Sequence, residues 1–293
     1  MGVQEGDPLG PLLFSLALQP ILQRVNEGCS DHGLQLAFSY LDDLILAGEQ
    51  SAVAHAFQWL RDLARQIGLD FNTTKCEVIP TAGQNSQIYK NLFPVDVKYK
   101  EDGNFELLGG PIGSSSFCND HTSNRVEKAM EVLKALGELP DPQVALILLR
   151  HCAAFSKLVY SLRIVPHQKH SSALHNFDPT IQDCVETFLG CFFSETEWTL
   201  ATLSTRMGGL GLRSTALHSS AYLASQVACH ELCSQLDKNF IWDPSNNRTD
   251  TFHALTDFNS RVKPEKQRHS ISEPNPRQQD LSQANERTFI MET

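Results

Sequence analysis

Phe38-Ser39-Tyr40-Leu41-Asp42-Asp43-Leu44-Ile45-Leu46-Ala47-Gly48 places two adjacent carboxylates between two apolar runs. Apolar runs this short read as strands, and the acidic pair between them reads as the tip of a hairpin. Neighbouring carboxylates in apolar surroundings repel each other and resist desolvation unless a cation neutralises them. A divalent metal would do so, and hard carboxylate oxygens suit Mg²⁺, which commonly bridges one or two acids to substrate phosphates. The plainer reading is a polar turn, an ordinary setting for Asp. Taken alone, the stretch leaves both readings open.

Upstream, Met1-Gly2-Val3-Gln4-Glu5-Gly6-Asp7-Pro8 leads into the apolar series Leu12, Leu13, Leu16, Ile21, Leu22 and Val25, which recurs at helical spacing. Pro8 suits a first helical turn because its missing N–H is not needed there, and Gly28 suits the end. Leu34, Leu36 and Phe38 supply the first strand of the hairpin. Downstream, Ser51 is placed to cap a helix carrying Val53, Phe57, Leu60, Leu63 and Ile67, stopped by Gly68. A strand at 76–79 ends at Pro80. Residues 88–99 and 105–112 have β-type composition broken by Asp102-Gly103 and Gly109-Gly110, whereas 119–240 reads mainly as helices. From 244 onward Ser, Asn, Pro, Gln and mixed charge predict a disordered tail. The fold class expected is α+β, divided at 1–113, 114–243 and 244–293.

Composition sets bounds on function. With 293 residues and 41% hydrophobic content the chain can bury a core. A formal net charge of -10 opposes unaided binding to a polyanion, since phosphate affinity rests on Lys and Arg. Part of that acidity is local: Glu5, Asp7, Glu27, Asp31, Asp42, Asp43 and Glu49 face only Arg24 in the opening stretch. Eight cysteines without a secretion signal predict reduced thiols and an intracellular setting, cytoplasmic or nuclear. The apolar stretch Val144 to Leu149 is stopped by Arg150 and His151, short of the ~20 residues a membrane span needs, so no membrane is expected.

The order of motifs around the acidic turn resembles that of reverse transcriptases of the non-LTR retrotransposon type. Gln4-Glu5-Gly6-Asp7-Pro8-Leu9-Gly10-Pro11-Leu12-Leu13-Phe14 is similar to the family's motif B, which lines the templating base and incoming nucleotide; Gly6, Asp7, Pro8 and Gly10 would shape that pocket. Tyr40-Leu41-Asp42-Asp43 is similar to motif C. The resemblance implies that Asp42 is the metal ligand proper, that Asp43 assists it, and that Tyr40 supports the primer end. Gly68-Leu69-Asp70-Phe71-Asn72-Thr73-Thr74-Lys75-Cys76-Glu77 resembles motif D, giving Lys75 the part of assisting the leaving pyrophosphate. Leu107-Leu108-Gly109-Gly110-Pro111-Ile112-Gly113 resembles the hairpin that grips the primer. Thr205-Arg206-Met207-Gly208-Gly209-Leu210-Gly211-Leu212-Arg213-Ser214 resembles a segment that follows the polymerase domain in non-LTR elements.

The resemblance implies a partial polymerase palm followed by a helical, thumb-like region. It also implies an RNA-directed DNA polymerase that uses two Mg²⁺ ions, with an RNA template, a DNA primer and deoxynucleoside triphosphates as partners. Two departures qualify it. The family's first metal-binding aspartate lies upstream of motif B, where this chain starts, so the chain alone is expected to be inactive. Glu5 stands where motif B usually has glutamine, next to Gln4. The competing expectation is a catalytically dead relic or a non-enzymatic nucleic-acid-binding or interaction protein. A palm sheet lacking a strand would expose backbone edges, so aggregation of the isolated product is also expected.

Other features read plainly. Cys229 and Cys233 flank His230 at a spacing that puts both thiols on one helix face, which suits zinc, but buried cysteine is commonly a small hydrophobe. The basic run Arg261, Lys263, Lys266, Arg268 and His269 is read as a solvated tail, and the series Val144, Leu146, Leu148, Leu149, Phe155, Leu158 and Leu162 as helix core. His55, His121, His151 and His218 have no partner motif, which excludes a Ser/His or Cys/His nucleophile by sequence.

Overall fold

A computed structural model describes residues 6–80, 90–215, 218, 220–236, 243, 246–270, 273 and 279–284. Gln4 and Glu5, the strand expectation at 88–89, and the parts of the tail at 244–245, 271–272, 274–278 and 285–293 lie outside the described residues. The chain forms two compact units, Met1–Leu108 and Gly109–Thr293.

The first unit opens with helix α1 (Gly10–Cys29), two residues later than Pro8 suggested, with Pro11 in its first turn. Pro20 sits inside α1 and withholds the N–H that the Leu16 carbonyl would accept. Leu16 is exposed, so water can take that place. Strands β1 (Leu34–Tyr40) and β2 (Asp43–Gly48) form the expected antiparallel hairpin, and helix α2 (Gln50–Gln66) follows. Its N-cap is Glu49 rather than Ser51. Apolar residues at helical spacing bring Ile21, Val25 and Cys29 of α1 against Ala52, Ala56 and Leu60 of α2, with Ala37, Leu44 and Leu46 of the hairpin completing the cluster. Full burial of a side chain such as Leu60 stabilises by about 1.5–3 kcal/mol. A Cβ on Gly28 would lie 2.5 Å from the Trp59 ring, so glycine is what lets that indole rest against α1.

Beyond α2 the β-type stretch condenses less than its composition suggested. Strand β3 (Glu77–Val78) pairs in parallel with β4 (Lys98–Tyr99), and β5 (Phe105–Leu107) is only one residue longer than either. The expectation of strand over 88–99 is corrected to 98–99 among the described residues; Lys90–Leu92 is a 3₁₀ turn instead. The fold class is α+β.

The second unit begins with β6 (Gly110–Ile112) and is otherwise helical: α3 (Ser115–Gly137), α4 (Pro142–Leu148), α5 (Phe155–Ile164), α6 (His167–His175), α7 (Phe177–Leu189), α8 (Glu195–Thr202), α9 (Ser220–Leu236) and α10 (Asp250–Arg261). Caps explain several starts. Ser114 accepts the Phe117 N–H, Asp141 those of Gln143 and Val144, and Ser194 with Glu197 forms a capping box on α8. The main core joins Leu133 of α3, Leu149, Leu158 and Leu162, and Phe177, Ile181 and Val185 of α7.

Two expectations change here. The helical run continues past Arg150 and His151, so Pro142–Ile164 is long and apolar enough to cross a membrane by length and composition. A π turn at Leu149–Ala153 and a break at Ala154 (ψ -124°) interrupt it, and Ala145, Leu149, Ala153, Phe155, Leu158 and Leu162 are buried in the unit's core. One side of it packs as core, while Val144 and Leu148, expected in the core, are exposed together with Ile147. The second correction concerns the tail. Over 250–261 it is helix α10, capped by Thr249, with Leu255, Phe258 and Val262 buried against Leu223 and Val227 of α9 and against Leu281. Sparse apolar residues at helical spacing were enough, because α9 offered them a face.

Candidate functional site

The acidic turn is built by strand pairing. Tyr40 opposite Asp43 is the last paired position of β1 and β2, leaving Leu41 and Asp42 as a two-residue connection. Leu41 has φ 55°, a left-handed conformation in which glycine is at ease and a Leu side chain is strained. The Ser39 hydroxyl donates to the Leu41 carbonyl and braces the turn. Sequence reading located the turn but not this strain; a two-residue connection lacking Asn or Gly was the available signal.

Register also decides orientation. Ala37 pairs with Leu46, and both face the α1–α2 core. Because side chains alternate along a strand, Phe38, its partner Ile45, Tyr40 and its partner Asp43 lie on the opposite side. Leu36, Phe38 and Tyr40 are 45%, 43% and 57% exposed, an open apolar side leading to the acids. Asp42 and Asp43 are themselves exposed. Neither carboxylate has a hydrogen-bond or ion-pair partner among the described residues. Water therefore screens the pair, and the hairpin does not need a cation to fold. The desolvation premise of the sequence reading is corrected, while the oxygens stay free to ligate.

These two acids have the donor chemistry that Mg²⁺ takes: hard, acceptor-only oxygens on a fixed turn. Among the described residues no group of three His, Cys, Asp or Glu side chains is gathered to hold a metal. The pair fits the share that one or two carboxylates provide when waters and substrate phosphates complete the coordination.

The motif B-like turn is well formed. Gly6 has φ 88°, the Asp7 carboxylate accepts the Leu9 N–H at 2.9 Å, and the Asp7 carbonyl accepts that of Gly10, also at 2.9 Å. Asp7 thus launches α1, a structural duty beside any pocket role. Pro8 is exposed and Gly10 buried. Lys75 is exposed at the end of a 3₁₀ turn, Thr73–Lys75, whose cap Asn72 accepts from the Thr74 N–H and hydroxyl. That turn is tied at its other end by Thr73 donating to Asp96, a bond that holds the Asp96 carboxyl below its ordinary range. Among the described residues no hydrogen bond or ion pair joins Lys75 or the 6–10 turn to Asp42 or Asp43.

In the second unit the Arg125 guanidinium donates to the Gly109 carbonyl at 2.7 Å. Leu108 (φ 49°) and Gly109 (φ 76°) both have positive φ, as a type I′ hairpin turn requires. The glycines of 208–211 have distinct reasons. A Cβ on Gly209 would lie 2.3 Å from the Leu203 carbonyl oxygen, whereas Gly208 and Gly211 have φ 86° and 74°. Asp178 at the start of α7 anchors the end of this segment, accepting from the Ser214 hydroxyl (2.6 Å) and from the Thr215 N–H and hydroxyl. Nothing local in the sequence pointed to that clamp. Cys229 and Cys233 share α9 as expected.

The hairpin carrying Tyr40, Leu41, Asp42 and Asp43 thus stands on one side of two packed helices, α1 and α2. Residues 1–110 match the family described as reverse transcriptase (RNA-dependent DNA polymerase). Over 215 residues, 73% of this chain, the sequence is 24% identical to the retrotransposable element SLACS 132 kDa protein of Trypanosoma brucei gambiense, covering 17% of that protein. The first 110 residues are thus similar to reverse transcriptases, and most of the chain is similar to a protein of a retrotransposable element. The chain spans about a sixth of the length of that relative. No solved structure matches it. The family generally uses divalent metals and acts on nucleic acid and nucleotides.

Proposed function

We propose that this chain carries the metal-holding turn and nucleotide-side elements of an RNA-directed DNA polymerase that extends a DNA primer on an RNA template. The observation that carries the reading is the strained turn at Leu41 presenting the free, exposed carboxylates of Asp42 and Asp43 beside Tyr40. Asp42 and Asp43 would hold Mg²⁺, which when bound supplies charge stabilisation for in-line phosphoryl displacement. Tyr40, on the same side as Asp43, positions the primer end through its ring. The 6–10 turn shapes the nucleotide pocket, its backbone fixed by Asp7. Lys75, held on its 3₁₀ turn, gives a proton or positive charge to the leaving pyrophosphate from its ammonium group. Eight cysteines free of disulfides support an intracellular location, cytoplasmic or nuclear.

The test is Mg²⁺-dependent primer extension on an RNA template by the purified chain, with Asp42→Asn prepared in parallel. Extension that the substitution abolishes supports the reading. Extension unchanged in Asp42→Asn removes this turn from the chemistry, and no extension in either favours the relic reading for the chain by itself.

A further inference from the structure

The chain's charge of -10 is not spread evenly. Between Asp141 and Asp178 there is no acidic residue, while Arg150, Lys157, Arg163 and Lys169 fall there. Between Glu197 and Glu231 there is again none, while Arg206 and Arg213 fall there. The fold brings these two acid-free segments together. The loop around Gly211 lies against the π turn, with the Arg150 guanidinium 3.2–3.5 Å from the position of a Gly211 Cβ. The Arg213 guanidinium sits over the Phe155 ring, 5.7 Å from its centroid.

Both guanidiniums are therefore held by packing rather than by charge. Neither has a hydrogen bond or a carboxylate partner among the described residues. The acid that does meet this loop, Asp178, is occupied by Ser214 and Thr215. Arg150 is half-buried and Arg213 exposed, so each is stiffened without being neutralised. A planar guanidinium fixed in this way loses little freedom on meeting a phosphate and offers it a two-pronged contact. The π turn matters as well: it interrupts the apolar helix where Arg150 must emerge beside the glycine loop.

We propose that Arg150 and Arg213, brought together by the glycine loop and the π turn, form a phosphate-backbone contact for nucleic acid on the helical unit. The choice of nucleic acid among polyanions rests on the polymerase reading above. Such a contact would let an acidic chain meet a polyanion through two stretches of sequence that carry no acid, the neighbouring Asp178 being held by Ser214 and Thr215.

The test is fluorescence anisotropy of a short RNA–DNA hybrid duplex titrated with the full chain over a series of salt concentrations. The variant is R150Q/R213Q, and K134Q/R248Q, which removes two exposed charges elsewhere, is the control. Affinity should fall about tenfold in R150Q/R213Q, and the slope of log affinity against log salt should flatten by about two, near one per lost phosphate contact. R150K/R213K should retain the slope while losing part of the affinity, which separates charge from packing. Equal effects of the variant and the control pair overturn the proposal, as does a wild-type chain that does not bind the duplex. Binding needs no nucleotide or metal, so a chain that binds through these arginines but extends no primer upholds this proposal and counts only against polymerase activity of the chain by itself.

Discussion

Tyr40 and Asp43 close the β1–β2 hairpin as its last cross-strand pair, so phenol and carboxylate stand on the same side, away from the α1–α2 core. Asp42 and Asp43 are exposed and bind no partner among the described residues. Asp42→Asn and Asp43→Asn should therefore change stability by no more than about 0.5 kcal/mol, as ordinary surface substitutions do. Thermal melts of the two variants beside the wild type check this. A drop of several degrees in Tm would assign the acids a structural role and weaken the case for a metal.

Gly209 offers a sharper contrast with its neighbour. A Cβ there would meet the Leu203 and Leu200 carbonyl oxygens at 2.3 and 2.6 Å, and backbone cannot swing aside as a side chain would. At Gly208 nothing lies within 4 Å, and the obstacle is only φ 86°. Gly208→Ala should cost about 1 kcal/mol, from the left-handed conformation alone. Gly209→Ala should cost about 3 kcal/mol or more because α8 must shift. Urea unfolding of both variants decides it, and equal costs would mean that the loop relaxes freely around residue 209.

The hairpin was readable because its signal is local: two short apolar runs and an acidic tip specify strands and turn without help from the rest of the chain. Most helices were readable for the same reason. Three things were not. The side of the sheet on which Asp43 stands follows from register, which is set by whether Ala37 and Leu46 or Phe38 and Ile45 meet the helices. The Asp178 clamp joins residues 36 and 37 positions apart, and the meeting of Arg150 with Gly211 spans a longer interval still. The apparent tail was misread because composition measures how much apolar surface a segment has and not whether a neighbouring helix can cover it.

Acid should destabilise the helical unit in a definable window. Burial pushes His170 down to about 4, helped by His167 beside it. Burial likewise pushes His218 to about 4 against the hydrogen bond to the Ser214 carbonyl, with Arg213 lowering it further and Asp178 opposing. Both imidazoles are neutral in the fold, and the unfolded chain takes up protons first, near pH 6.5. Stability is therefore complete above that value and is lost as pH falls from 6.5 toward 4, by about 2 kcal/mol per histidine at pH 5. Carboxylates such as Glu197, held low by the Ser194 hydroxyl, act only below their ordinary range, in a more acid window. Denaturation midpoints at pH 7.5 and pH 5 should differ in the wild type and converge in His170→Gln/His218→Gln. An unaltered pH difference in that variant would place the sensitivity elsewhere.

The final expectation concerns the part of the chain whose composition suggested least. Phe258 is 2% exposed and Leu255 8%, packed with Val262 and Leu281 against Leu223 and Val227 of α9. If this cluster is a true extension of the helical core, Phe258→Ala removes buried ring surface and leaves a cavity, costing about 3–5 kcal/mol. Asp257→Ala, one position earlier, removes a partly exposed ion pair with Arg261 (2.9 Å) and should cost under about 1 kcal/mol. Limited proteolysis of the full chain reads the same difference: cleavage within 250–262 should be slow in the wild type and fast in Phe258→Ala. Rapid cleavage there in the wild type would return the segment to the disordered state its composition predicted, and would leave the buried side of α9 without a partner.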